Sequence, residues 1–163
     1  MKVVVDTNVA IAANGRNTHA SLKCQYECIE FLQKLTADIG RHQIFLDEGE
    51  QILDEYRTYL YHHGEPGVGD SFYRFLHDHM YSGNRVRRVA IVPIDDGARG
   101  FAELPPNGLD MSDRKFLAVA LIAKAAVANA MDTDWYKQAE FITGLGVKVK
   151  QLCPEHGCKE PVV

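Results

Sequence analysis

Residues 3–6 of the chain read Val-Val-Val-Asp, an unbroken β-branched run that ends in a carboxylate. A run without polar alternation predicts a strand buried on both faces, the kind found in parallel sheets. Similar short runs recur along the chain, each separated from the next by a helical pattern. The further predicted strands are 44–46, 89–92, 127–131 and 147–150.

The segments between these strands carry apolar residues at spacings of three and four, which is typical of amphipathic helices. Residues 62–70 hold three glycines and a proline and predict a loop. Alternating helices and strands predict the α/β class, as a three-layer α/β/α sandwich around a mostly parallel five-stranded sheet. The predicted helices are 20–39, 48–61, one over 72–80, 113–125 with Ser112 as its N-cap, and 135–145.

The chain has 163 residues, 46% of them hydrophobic, which predicts one domain with one core. We assign the domain to residues 1–152 and an irregular tail to 153–163. No apolar run reaches the roughly 18 residues needed to cross a bilayer, and the carboxylate at position 6 comes too early for a signal peptide. We therefore expect a cytoplasmic protein without membrane contact. The net charge of −4 is unusual for a nucleic-acid enzyme, but carboxylates reserved for a metal would carry several of those charges.

Four cysteines in a chain without a secretory signal favour reduced thiols over a disulfide framework, so we predict no bridge. Cys24 and Cys28 fall one helical turn apart and are interpreted as core residues. The run Cys153, His156 and Cys158 offers three soft ligands, but its spacing is irregular and no fourth ligand is evident nearby. We favour an irregular tail over a zinc site.

Acidic residues follow two of the predicted strands. Asp6 comes directly after the first strand, and Asp132 and Asp134 come directly after the fourth. Asp113 opens the helix before the fourth strand, and Glu55 lies in the helix after the second. A single aspartate at a strand end is more often a helix cap. Several carboxylates at one sheet edge repel one another unless a cation lies between them, and hard oxygen ligands select Mg²⁺ or Mn²⁺.

The first two segments that carry acids resemble a known family. Residues 4–9, Val-Val-Asp-Thr-Asn-Val, closely resemble the opening strand of PIN-domain ribonucleases, a family that includes VapC-type toxins. Residues 45–56 are similar to the family's second strand and following helix, where the acid before an aromatic residue or a leucine belongs to the metal site. This match selects Glu55.

The last two acidic segments extend the resemblance to about residue 149. Residues 110–120 are similar to the family's third-acid helix, and the match selects Asp113. Residues 129–135 resemble the fourth motif, a Thr or Ser, one residue and then Asp, and the match selects Asp134. Asp132 stands where a hydroxyl residue is commoner, which leaves open whether it adds a ligand or only caps the turn.

The resemblance implies a metal-dependent endoribonuclease that cleaves RNA to 5′-phosphate and 3′-hydroxyl ends. Asp6, Glu55, Asp113 and Asp134 would hold one or two Mg²⁺ or Mn²⁺ ions that activate a water for in-line attack on phosphorus. The resemblance also suggests two kinds of partner, an antitoxin protein and a second copy of the chain in a homodimer, and both stay open. The supporting residues are Thr7, Asn8, Asp110 and Thr133, with turn stabilisation an equal alternative for Asn8 and a surface or capping role favoured for Asp110.

Two other interpretations stay open from the sequence. One is a non-catalytic PIN-fold module that binds RNA or serves as a scaffold, which the retained acids disfavour because clustered charges without a use destabilise a fold. The other is a DNA flap nuclease, which is disfavoured because such enzymes carry additional DNA-binding elements.

Overall fold

A computed structural model describes residues 1–37, 41–61 and 65–158 of the chain. Five parallel strands form one sheet in the order β3-β2-β1-β4-β5. This arrangement confirms the predicted α/β class and the five-stranded sheet, which is parallel throughout. The strands are β1 (Lys2–Val5), β2 (Gln43–Asp47), β3 (Val86–Val89), β4 (Ala126–Asn129) and β5 (Val149–Gln151).

Helices cover the sheet. The helix α5 packs against β1, β2 and β4, while α1, α2 and α4 pack against one another, which gives the three-layer sandwich. None of the helices in the described part of the chain has the length and apolar character that a membrane span requires. The helices are α1 (Thr7–Asn14), α2 (Leu22–Ala37), α3 (Gln51–Tyr59), α4 (Val68–His79), α5 (Met111–Ala123), α6 (Asp134–Lys137) and α7 (Ala139–Gly144), followed by a 3₁₀ turn at Pro154–His156.

The central strand and the helix above it form the middle of the core. Val3, Val4 and Val5 are at most 1% exposed, because β1 lies between two other strands and under helices on both sides. On α5, Phe116 and Leu117 are fully buried. The first strand therefore has the burial on both faces that its continuous β-branched sequence predicts.

Several predicted elements were misplaced. The third strand occupies Val86–Val89 instead of 89–92, because β3 is an edge strand and its Arg87 is exposed, so the apolar signal lies beyond the paired residues. The single predicted helix 135–145 is two short helices that meet at Gln138. The helix α1 was not predicted. The end of the predicted helix 20–39 and the start of the predicted loop 62–70 lie outside the described residues.

The prediction that the cysteines form no bridge was wrong. Cys24 on α2 and Cys153 after β5 form a disulfide, while Cys28 and Cys158 are buried free thiols. The two bridged residues are 129 positions apart, so their contact depends on how α2 packs and no local pattern shows it. Within the predicted tail 153–163, the described residues 153–158 include a short helical turn and are fixed to the domain by the bridge.

Candidate metal centre

The acidic residues gather at the carboxyl edge of the sheet, beside the point where strand order reverses. The chain passes from β1 to β2 and β3 on one side and later places β4 on the other side of β1. Asp6 directly follows β1, and the loop that carries Asp132 directly follows β4. The helix α5 begins at the same edge with Asp113 in its first turn. In parallel sheets this crevice is the usual place for a ligand.

Asp6 caps α1 and is nearly buried. One carboxylate oxygen accepts the backbone N–H of Asn8 at 3.1 Å, and the other accepts the indole N–H of Trp135 at 2.7 Å. Burial raises the pKa of Asp6 to about 6, against the lowering effect of these two hydrogen bonds, and the charges of Asp132 and Glu55 add to the rise. Because a carboxylate oxygen accepts more than one contact, both oxygens keep room for a cation.

We call Asp6, Asp110, Asp113, Asp132 and Asp134 the acidic pocket; among them, Asp113 has a buried side-chain oxygen, Oδ2, that lacks a hydrogen-bond partner among the residues that the structure describes. Asp113 is 5% exposed. Burial raises the pKa of Asp113 to about 9, and the charges of Asp6 and Asp132 contribute to the rise. A buried carboxyl without donors is costly, and a cation would offset that cost.

Five aspartates form two groups that share one member. In the first group, one carboxylate oxygen from each of Asp6, Asp113 and Asp132 lies within 4.8 Å of the others. In the second group, the same holds for Asp110, Asp113 and Asp134. Asp113 belongs to both groups, so it stands where two neighbouring ions would share a ligand.

The loop after β4 positions the remaining acids. The backbone N–H of Asp134 donates to Oδ1 of Asp132 at 2.9 Å, and the backbone N–H of Asp110 donates to Oδ2 of Asp134 at 3.3 Å. The charge of Asp134 raises the pKa of Asp110, which is exposed. Thr133, predicted as a supporting residue, is exposed and its side chain does not cap α6. The structure therefore orients Asp132 and Asp134 through the backbone.

Glu55 does not belong to either group of aspartates. Its Oε1 accepts the ammonium of Lys115 at 2.9 Å, and its Oε2 accepts the hydroxyl of Thr7. The same ammonium donates to the carbonyl of Ser112 at 2.5 Å, at the start of α5. Glu55 is thus paired with a cation of the chain, and the Thr7 hydroxyl donates to Glu55.

Asn8 ties the end of β1 to the loop after β4. Its side-chain oxygen accepts the backbone N–H groups of Ala130 and Met131 at 2.8 and 3.0 Å, and its amide donates to Asn129 at 2.9 Å. Asn129 in turn donates to the carbonyl of Asp132 at 2.9 Å. The structure therefore favours the loop-stabilising alternative for Asn8.

The sequence analysis missed three residues of this pocket: Lys115, Asn129 and Trp135. Trp135 directly follows Asp134, and Lys115 is two residues after Asp113. Their positions beside acids already selected could have identified both residues from the sequence. Asn129 ends β4 with 0% exposure, and a polar residue at the end of a buried strand is a similar signal.

The residue types and the unsatisfied oxygen fit a hard divalent cation. All side chains of the two groups offer carboxylate oxygens, the ligands that Mg²⁺ and Mn²⁺ prefer. These oxygens come from the end of β1, the start of α5 and the segment after β4, so the fold itself brings the like charges together. The pocket can therefore hold one or two such ions.

Comparison with known proteins identified no relative of the chain. No protein-family model, no curated protein and no solved structure matches the chain. The interpretation of the acidic pocket consequently depends on its own chemistry.

Proposed function

We propose that the chain is a Mg²⁺- or Mn²⁺-dependent endoribonuclease whose centre is the pocket around Asp113. The observation that carries the proposal is the buried Oδ2 of Asp113, which has no hydrogen-bond partner in the described part of the chain and lies among other carboxylates. A fold does not keep such an arrangement for stability, because each of these charges raises the cost of the others.

Each acid has a defined task in this proposal. Asp6, Asp113 and Asp132 would hold one ion, and Asp110, Asp113 and Asp134 would hold a second. When bound, the ions lower the pKa of a water and neutralise charge on a phosphodiester. Trp135 and the N–H of Asn8 keep Asp6 in one orientation.

Glu55 and Lys115 act as positioning residues at the rim of the pocket. Their ion pair connects α3 to the first turn of α5, the turn that carries Asp113. The side chains of Lys115 and Glu55 are 10% and 20% exposed, so solvent screens the pair only in part. The pair keeps the two helices, and with them Asp113, at a fixed distance.

RNA as the substrate rests on the resemblance of the acid-bearing segments to PIN-domain ribonucleases. The same resemblance supports 5′-phosphate and 3′-hydroxyl products, an antitoxin protein as partner and a homodimer. A cytoplasmic location stays a prediction, and the disulfide between Cys24 and Cys153 counts against it because such bridges are rare in the cytosol.

The direct test is cleavage of a mixed pool of structured and single-stranded RNAs by wild type and Asp6→Asn. Asparagine is also a favourable N-cap, so the variant can keep the hydrogen bond to Asn8 at the start of α1 while it loses a negative ligand. Its NH₂ group then faces the indole N–H of Trp135, so the variant is compared at a temperature where it is folded. We expect wild type to release fragments with 5′-phosphates in Mg²⁺ or Mn²⁺ and none in EDTA. We expect Asp6→Asn to release none under any of these conditions.

The control is circular dichroism of both proteins, which establishes that Asp6→Asn is folded. Metal-dependent cleavage that survives unchanged in the folded variant would remove Asp6 from the reaction. RNA binding by wild type without cleavage of any RNA in the pool would instead favour the binding or scaffold module.

A further inference from the structure

A second cluster of metal-binding residue types lies away from the acidic pocket, where α2 meets the segment after β5. Cys24 and Cys28 are one turn apart on α2, and Cys153 approaches them from the end of the sheet. All three are 0% exposed, and their sulfur atoms lie within 4.8 Å of one another. The Sγ atoms of Cys28 and Cys153 are 3.9 Å apart.

A histidine lies beside one member of this cluster, Cys24. A ring nitrogen of His156 and a carboxylate oxygen of Glu155 lie within 4.8 Å of the sulfur of Cys24 and of each other. The Nε2 atom of His156 accepts the backbone N–H of Ser21 at 3.1 Å, so this nitrogen carries a lone pair, as a metal ligand must. The carboxylate of Glu155 instead accepts the hydroxyl of Ser21 at 2.9 Å and is exposed. His156 is the better fourth ligand.

We propose that the chain, when its Cys24–Cys153 disulfide is reduced, binds one zinc ion through the sulfurs of Cys24, Cys28 and Cys153 and a ring nitrogen of His156. Zinc in structural sites takes four such ligands in a tetrahedron. With Zn–S distances of about 2.3 Å, a tetrahedron places neighbouring sulfurs about 3.8 Å apart. The separation of 3.9 Å between Cys28 and Cys153 already matches that spacing.

The conversion of the disulfide form to the zinc form accounts for every electron and proton. A dithiol reductant gives two electrons and two protons to the Cys24–Cys153 bond and itself becomes a disulfide. Zinc then displaces one proton from each of the three thiols, and these three protons go to solvent. The histidine releases the N–H of Ser21 and gives its lone pair to the ion. The sulfurs of Cys24 and Cys153 move apart to the tetrahedral spacing.

The zinc form would make the same connection as the disulfide, because both join α2 to the segment after β5. This segment follows Gln151, whose side chain accepts the amide of Asn129 at 2.7 Å. Asn129 also holds the loop that carries Asp132. The cluster therefore anchors the end of β5, which contacts the end of β4 through Gln151 and Asn129. The proposal does not require the acidic pocket to be an active site.

The test uses Co²⁺ as a spectroscopic probe on the full chain, reduced without oxygen and then freed of reductant. We expect intense sulfur-to-cobalt charge-transfer absorption and ligand-field bands of tetrahedral strength that saturate at one Co²⁺ per chain, both lost when Zn²⁺ is added. Co²⁺ in the acidic pocket has only oxygen ligands and gives no sulfur charge transfer. The signal is thus specific for the cysteine cluster.

Two cysteine variants form a matched pair. Cys28→Ser should lose the charge-transfer bands of the three-sulfur site while still forming the Cys24–Cys153 disulfide on oxidation, which shows that it folds. Cys158→Ser removes the other buried free thiol, which is absent from the cluster, and should keep the spectrum and the stoichiometry of wild type.

Three results would overturn the proposal. One is reduced wild type that binds no Co²⁺ with sulfur charge transfer, and another is Cys28→Ser with the wild-type spectrum. The third is partially reduced wild type in which mass spectrometry finds Cys28 bridged to Cys24 or Cys153 while no metal binds. That outcome would assign Cys28 to disulfide exchange.

Discussion

Two buried aspartates of this molecule, Asp70 and Asp113, have opposite surroundings. Asp70 is 1% exposed and accepts the backbone N–H groups of Tyr61 and Gly67 at 2.8 and 3.0 Å. It also accepts the amide of Asn14 at 3.0 Å and the guanidinium of Arg16. Burial alone would raise the pKa of Asp70, but these four donors together hold it below its ordinary value. Asp70 is a structural acid.

Asp113 is also buried, at 5% exposed, but its neighbours are other acids: a hydrogen bond shared with the carboxyl of Asp132 is among the causes that raise its pKa. Its Oδ2 has no hydrogen-bond partner within the described ranges, and other carboxylates lie where Asp70 has an arginine and two N–H groups. The pKa of Asp113 is consequently raised to about 9, chiefly by burial. The contrast teaches that, between two buried acids, the donors around each one distinguish a structural carboxylate from one that fits a cation.

The largest effect should be the loss of RNA cleavage in Asp113→Asn. This change keeps the volume of the side chain but removes the charge that both groups of acids share, so we expect the rate to fall at least about a hundredfold. The measurement is the single-turnover cleavage rate at saturating Mn²⁺. Asp70→Asn is the matched control, assayed at a temperature where it is folded, and should keep the wild-type rate. Equal loss in both variants would mean that Asp113 acts only through folding.

The second-largest effect should be a loss of folding stability in Asp70→Asn. In Asp70→Asn an amide NH₂ replaces one oxygen and faces two donors, either Gly67 and Arg16 at Oδ2 or Tyr61 and Asn14 at Oδ1. We expect the free energy of unfolding to drop by about 3 kcal/mol. Urea denaturation in EDTA measures it, with Asp113→Asn as the control that should unfold no more easily than wild type. A smaller loss for Asp70→Asn than for Asp113→Asn would reverse the comparison.

The third effect is a pH dependence of the metal-free protein. The folded state binds protons on Asp6 and Asp113 more tightly than the unfolded chain, since their pKa values rise from 3.8 to about 6 and about 9. The stability from these acids is full below pH 3.8. It declines as pH rises towards about 6 for Asp6 and about 9 for Asp113, with a limiting slope of about 1.4 kcal/mol per pH unit for each proton.

Thermal unfolding in EDTA at several pH values measures this decline, and Mg²⁺ should reverse it because the ion binds the deprotonated acids. In Asp113→Asn the decline above pH 6 should disappear. A metal-free wild type whose stability rises between pH 6 and 9 would show that Asp113 is satisfied in solution, as Asp70 is.

The smallest effect should come from Glu55→Gln. Glu55 is already paired with Lys115 and lies outside both groups of aspartates, so its charge is not a direct ligand in this account. We expect cleavage to fall about tenfold through displacement of α5, as for residues that orient a ligand. The test is the cleavage rate as a function of Mn²⁺ concentration. A loss as large as that of Asp113→Asn would return Glu55 to the metal ligands, as the sequence predicted.

The sequence identified the sheet and its acidic edge because both follow from local patterns. The run of valines before Asp6 can bury itself only inside a sheet, and acids directly after parallel strands must meet at one edge. The same patterns misplaced β3, whose exposed Arg87 gives no apolar signal. They also missed α1, because Asp6 was interpreted as a ligand and not as the N-cap it is, and a helix of 8 residues shows little apolar spacing.

Contacts between distant segments could not be predicted in this way. The disulfide from Cys24 to Cys153 and the pairing of Glu55 with Lys115 join elements whose distance is fixed only when helices pack on the sheet. Spacing along the chain shows that a residue is near the edge of the sheet. It does not show whether a donor or a second acid stands opposite, and that difference separates Asp70 from Asp113.

The most direct test of the metal centre is Mn²⁺ binding, measured as the loss of the free-ion signal in electron paramagnetic resonance. Wild type and folded Asp70→Asn should take up one or two ions per chain, since Mn²⁺ prefers the oxygen ligands of the pocket. Asp113→Asn, which lacks the acid common to both groups, should take up none at the same concentration. Equal uptake by wild type and Asp113→Asn, or no uptake by wild type, would contradict the account.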